Sequence, residues 1–119
     1  MEAARPRLTV VETIGYLSDA TTLFTDEERQ AVVDMVATDP ACGEVMKGCG
    51  GARKVRFALQ GRGKSGGARI VYLFHNEGMP AFLLAVFAKN EKANLSKAEQ
   101  NAMQRVCKAI VSNYGKKGG

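Results

Sequence analysis

Three basic residues have the types and spacing to act on a phosphodiester. Lys54 and Arg56 alternate with Val55 and Phe57 in the segment KVRFAL, and Arg69 opens a second such segment, RIVYLFH. A period of two marks a strand, and it places Lys54 and Arg56 on one face, opposite the apolar one. Antiparallel pairing of the two segments groups Arg69 with them, while Arg62 and Lys64 ride the glycine-rich loop between. RNA brings its own nucleophile, the 2′-hydroxyl. Cleavage needs that hydroxyl deprotonated, the in-line phosphorane stabilised and the 5′-oxygen protonated. A lysine crowded by other cations can give up its proton and serve as base. Arginine suits the phosphorane because its fork is planar and always charged. His75, the single histidine, is an acid–base candidate by type. It shares the parity of Arg69 but stands six residues further along, roughly 20 Å at strand rise, which favours a structural or partner-facing role over a catalytic one.

The charge distribution points the same way. Residues 47–69 hold seven basic side chains (Lys47, Arg53, Lys54, Arg56, Arg62, Lys64 and Arg69), no acidic one, and seven of the thirteen glycines. The remainder carries 10 basic against 12 acidic residues, so a slightly acidic body bears one cationic insert in a chain of net charge +5. Cations gathered without acids repel one another, and a polyanion relieves that repulsion. Phosphate-rich partners, nucleic acid above all, fit such a segment.

A competing reading is a nucleotide-binding loop, since ALQGRGKS (58–65) meets the loosest phosphate-loop pattern. That loop must open into a helix whose N-terminus meets the phosphate. Here Gly66-Gly67-Ala68 leads into a strand, and no partner acidic strand follows. Three cysteines at irregular spacing do not make a disulfide framework and suit a reducing cytoplasm. Cys42 and Cys49 lack a second tight ligand pair for zinc, so free thiols are expected and no metal or cofactor is implied. The longest apolar run, 81–88, is too short for a bilayer, so no membrane partner is expected. The N-terminus lacks a secretory h-region.

The elements that must hold these residues read as follows. A short strand falls at 8–13. Thr25-Asp26-Glu27-Glu28 is a capping box, opening a helix that runs to about Thr38 with Val32, Val33, Met35 and Val36 inward. Asp39-Pro40 ends it. Residues 43–51 read as loop, 54–59 and 69–75 as strands, 76–79 as turn, and 81–88 as an apolar central strand. Ser96-Lys97-Ala98-Glu99 caps a last helix to about Asn113, with the stripe Ala102, Met103, Val106, Ile110 and Tyr114. Gly115 is its expected stop. At 119 residues the chain is most simply one domain, residues 1–119. Runs of strands separate from helices predict an α+β fold. Its expected form is a small antiparallel sheet, a meander of three strands plus an N-terminal strand, flanked by helices packed on its apolar face.

Several of these residues also carry a family resemblance. GGARKVR (50–56), GRGKSGGARIVY (61–72) and AKNE (88–91), in that order, resemble the RelE/ParE superfamily of toxins from type II toxin–antitoxin systems, and most closely its HigB-like branch. The resemblance implies a RelE-like fold and a metal-independent endoribonuclease, or mRNA interferase. Such an enzyme cuts mRNA in the ribosomal A site and so inhibits translation. It also implies a cytoplasmic protein neutralised by a cognate antitoxin, often one with a helix-turn-helix DNA-binding domain. In RelE itself, two lysines on one strand correspond to Lys54 and Arg56, and a strand-opening arginine corresponds to Arg69. A later arginine aligns with Asn90, and the family's C-terminal tyrosine has no counterpart after Leu95. Lys89 stands in as a further catalytic cation and Glu91, or His75, as acid or base. Arg53, Arg62, Lys64 and Lys47 fall to RNA backbone contacts. Two other classes stay open: a ParE-like poison of DNA gyrase, and a basic module that binds RNA without cutting it.

Overall fold

Two capping boxes and a set of period-two strands organise the chain. In a computed structural model, which describes residues 7–59, 67–88 and 95–118, the order is β1 (Val10–Glu12), α1 (Ile14–Leu23), α2 (Asp26–Thr38), β2 (Glu44–Val45), β3 (Ala52–Ala58), β4 (Gly67–Leu73), β5 (Ala81–Ala88) and α3 (Lys97–Gly118). The five strands form one sheet in the order β1-β5-β4-β3-β2. The α+β class expected from the sequence is present. Strands β2 to β5 are antiparallel neighbours, and β1 joins parallel to β5 with Val11 opposite Phe82.

Both expected capping boxes form. The Thr25 hydroxyl accepts from the Glu28 N–H at 3.1 Å, and the Thr25 N–H donates to the Glu28 carboxylate at 2.9 Å. Ser96 and Glu99 repeat the exchange at 3.2 and 2.8 Å. Each box satisfies two helix-end amides that otherwise lack partners. Helix α1 is an addition to the elements expected from the sequence. It starts at Thr13, whose hydroxyl accepts from the Tyr16 N–H and donates to the Leu83 carbonyl at 2.7 Å, so one side chain caps the helix and ties it to β5. Arg29 on α2 reaches Glu12 on β1 through two bonds of 3.2 Å.

The sheet is covered on both faces, where the sequence pattern suggests one. On the first face Tyr16, Ala20 and Phe24, with Val32 and Val36 of α2, pack on Ala68, Ile70, Tyr72, Leu83 and Val86. On the other, α3 and the 46–51 turn cover Ala52, Val71 and Leu73 around Cys49 and Cys107. The α3 stripe is therefore Met103, Cys107, Ile110 and Val111, with Tyr114 edge-on to Phe82. Val106 stays 45 % exposed, and the helix continues through Gly115. Gly50 makes the turn fit: at φ 72° its missing Cβ would stand 3.0 Å from the Gln104 Cα and 3.2 Å from the Cys107 Cβ. Burial holds the Cys49 thiol above its ordinary range and pushes Cys107 up to about 11. Both thiols are thus protonated and unreactive at neutral pH.

Candidate active site

The second face is divided along the strands. Val71 and Leu73, towards the end of β4, lie under α3. Beyond them the same face continues with charged residues. The β3–β4 register sets Lys54 opposite Val71 and Arg56 directly opposite Arg69. Lys54 and Arg56 are thus two residues apart on one face of one strand, as the alternation predicts, and the register makes Arg69 the cross-strand neighbour of Arg56. Together with Cys42, Glu44 and Val55 they line a pocket of about 350 Å³.

Two guanidinium side chains directly opposite each other on a sheet destabilise it, because such positions lie only about 5 Å apart at Cβ. Lys54 adds a third cation to the same pocket. Among the described residues that line the pocket, Glu44 moderates this charge. Glu44 pairs with Lys54 across β2 and β3, and its oxygen lies 3.9 Å from the Lys54 ammonium. The expectation of cations without an acid is corrected here: the acid lies three residues before the basic window, on a two-residue strand. Arg56 is exposed and forms no ion pair among the described residues.

The wall that carries Glu44 and Cys42 is held from behind. The buried Tyr72 hydroxyl donates to the Pro40 carbonyl at 2.8 Å and accepts from the Gly43 N–H at 2.8 Å. Burial, with the Cys42 thiol 3.6 Å away, keeps the Tyr72 phenol protonated well above its ordinary range. Arg53 closes the arrangement by donating to the Gly43 carbonyl at 2.8 Å, with its guanidinium over the Phe74 ring at 5.9 Å.

The other candidates are placed as follows. Arg53 points to the face opposite Lys54, and the structure does not bring it into the pocket. Lys47 lies exposed in the 46–51 turn, away from the pocket lining. His75 is exposed and follows the end of β4 at Leu73, so it too lies outside the pocket. Arg62 and Lys64, and Lys89 and Glu91, fall in 60–66 and 89–94, outside the described residues. Ala58, Gly67 and Ala88, the described ends of β3, β4 and β5, share the end of the sheet that carries Arg56 and Arg69. Glu44, and the place of Cys42 beside it, are not foreseen from the sequence, where 43–51 reads as loop. A strand of two exposed residues carries no periodicity, and only the pairing with β3 reveals it.

Fold and site together define a small α+β protein with a lysine- and arginine-lined pocket on one sheet face. Residues 24–117 match the family described as the RelE toxin of the RelE/RelB toxin–antitoxin system, and the chain belongs to that family. It is thus a toxin of the toxin–antitoxin class, one whose family implies an antitoxin partner. Among the described residues no helix is long and apolar enough to cross a membrane.

Proposed function

We propose that this chain is a HigB-like, ribosome-dependent endoribonuclease that cleaves mRNA in the A site and so stops translation. The observation that carries the reading is the direct opposition of Arg56 and Arg69, with Lys54 on the same face. Three cations converging on one open pocket fit a phosphate that gains charge as it becomes pentacoordinate. Preorganised donors aimed at developing charge supply much of the rate enhancement of many enzymes. Arg56 and Arg69 hold the scissile phosphate, and Lys54 stabilises its added charge. Lys89 is a further cation for the same task. Arg62, Lys64 and Lys47 contact RNA backbone. The reaction needs no metal. The 2′-oxygen forms a bond to phosphorus as the bond to the 5′-oxygen breaks, so a 2′,3′-cyclic phosphate appears first. The protein acts in the cytoplasm, and a cognate antitoxin with a helix-turn-helix DNA-binding domain keeps it inactive.

The cations of the pocket suit a phosphate, and the pocket offers little to orient the reacting sugar. The ribosome supplies that orientation by presenting the mRNA in the A site. Purified protein is therefore expected to cut mRNA on programmed ribosomes at least about 100-fold faster than the same RNA free in solution. Single-turnover cleavage of an end-labelled message in both settings measures the ratio. Equal rates would rule out ribosome dependence.

A further inference from the structure

Outside the pocket, a second group of cations stands where helix stability does not explain it. Lys97, Arg105 and Lys108 of α3 are exposed and form no ion pair among the described residues. Lys97 opens the helix, where the positive end of the helix dipole disfavours a cation. Arg105 and Lys108 are three residues apart, a spacing at which like charges on a helix repel. With the exposed Asn101 and Ser112 they recur every three or four residues, so they share one face. At 3.6 residues per turn that face is about 80° wide, and Lys97 and Lys108 stand about 16 Å apart along the axis. Met103, Cys107 and Ile110, which pack on the sheet, lie on the opposite side of the helix. The cationic row therefore points away from the sheet, on the same side of the molecule as Lys54, Arg56 and Arg69.

The charge of the whole molecule is sorted in the same sense. Residues 14–38, which carry the two helices of the first face, hold five acidic residues and one basic, whereas 97–118 hold five basic and one acidic. That one acid, Glu99, accepts from the Ser96 N–H in the capping box. A polarity of this kind orients an approaching polyanion. The composition of the row decides which polyanion. Single strands are held by bases stacked on aromatic side chains, and the row has no aromatic; Tyr114 is turned edge-on to Phe82. Protein partners are anchored by aromatic or apolar groups at the centre of the contact, and the row has none of these either. Cations and hydrogen-bonding side chains along a rigid rod suit duplex RNA, which is recognised by shape through its phosphates and 2′-hydroxyls. We infer that the outer face of α3 docks on the phosphate backbone of a ribosomal RNA helix, a contact separate from that of the message in the pocket; the inference rests on the ribosome-dependent reading above.

The test uses the full chain with Lys97→Gln, Arg105→Gln and Lys108→Gln together. All three residues are exposed, so the thermal unfolding midpoint is expected to stay near the wild-type value. The probe is the vacant ribosome, which holds ribosomal RNA but no message. Affinity for it is expected to fall by at least about 10-fold, and the slope of log affinity against log salt to flatten by about 2 to 3, as for three lost phosphate contacts. Arg105→Gln alone is expected to flatten the slope by about 1. On programmed ribosomes KM is expected to rise while kcat stays within about threefold, because the pocket is untouched. Unchanged affinity of the triple variant for vacant ribosomes would overturn the docking, as would a loss of affinity with an unchanged salt slope. A loss confined to programmed ribosomes would also overturn it, by giving the row to the message. A loss confined to antitoxin binding would overturn it by giving the row to a protein partner. A wild-type chain that binds vacant ribosomes through these residues yet cuts no message would uphold the docking and reject the endoribonuclease reading alone.

Discussion

Arg69→Ala should lower mRNA cleavage on ribosomes by roughly 100- to 1,000-fold, the usual cost of removing one donor aimed at transition-state charge. Arg69 lies near the start of β4, directly opposite Arg56 and on the face of Lys54. It lines the pocket, so its loss removes half of the guanidinium pair at one stroke. The same change relieves a like-charge opposition across the strands, and the fold should therefore survive it. Arg69→Lys restores a charge but not the planar fork, and it should recover only part of the rate. Growth arrest on induction and single-turnover cleavage should fall together, while the thermal unfolding midpoint stays near the wild-type value. Full toxicity and full cleavage in Arg69→Ala would show that the phosphate is held elsewhere.

Gly43→Val is expected to be the most disruptive change behind the pocket. A Cβ at this position would stand 2.7 Å from the Lys54 carbonyl oxygen and 2.9 Å from the Tyr72 ring and hydroxyl. The first of these neighbours is backbone, so β2 and β3 must separate for it to fit. The expected loss is about 3 kcal/mol or more, at the upper end for forced overpacking. Tyr72→Phe separates volume from hydrogen bonding. It keeps the ring but orphans the buried Gly43 N–H and the Pro40 carbonyl, both bonded to the hydroxyl at 2.8 Å. That change should cost about 2 kcal/mol. Urea unfolding of the two variants measures both losses. Gly43→Val should be the less stable of the two. Near-wild-type stability in Gly43→Val would mean that β2 is not pinned to β3 as the contacts indicate.

The parts of the fold legible in the sequence are those with local signals. Thr25 to Glu28 and Ser96 to Glu99 announce helix starts through side chains that satisfy their own amides. Lys54 and Arg56 declare their shared face through period two, and antiparallel pairing of the next strand brings Arg69 to it. Helix α1 is hidden because Gly15 and the β-branched pair Thr21-Thr22 weaken its propensity. Its signal is the spacing of Tyr16, Ala20 and Phe24, a four-residue repeat of buried side chains. The α3 stripe turns on Cys107, which the sequence reading leaves out of the stripe but which packs as an apolar residue, free cysteine being among the most buried types. The second core follows from that residue. The parallel β1–β5 pair is a non-local choice made by tertiary packing, as is the arrival of Glu44 at Lys54. Neither leaves a trace in local pattern. The site is therefore readable in its cations and unreadable in its carboxylate.

If the Lys54–Arg56–Arg69 pocket cleaves messages while ribosomes translate them, the cuts must follow the reading frame. Primer extension, mapping mRNA 5′ ends after induction of the chain without its antitoxin, reads those cuts directly. New ends are expected within reading frames, in phase with codons, absent from untranslated RNA and lost with Arg69→Ala. Growth arrest with intact messages would contradict this mechanism, and gyrase-linked DNA breaks beside that intact RNA would assign the toxicity to a different target.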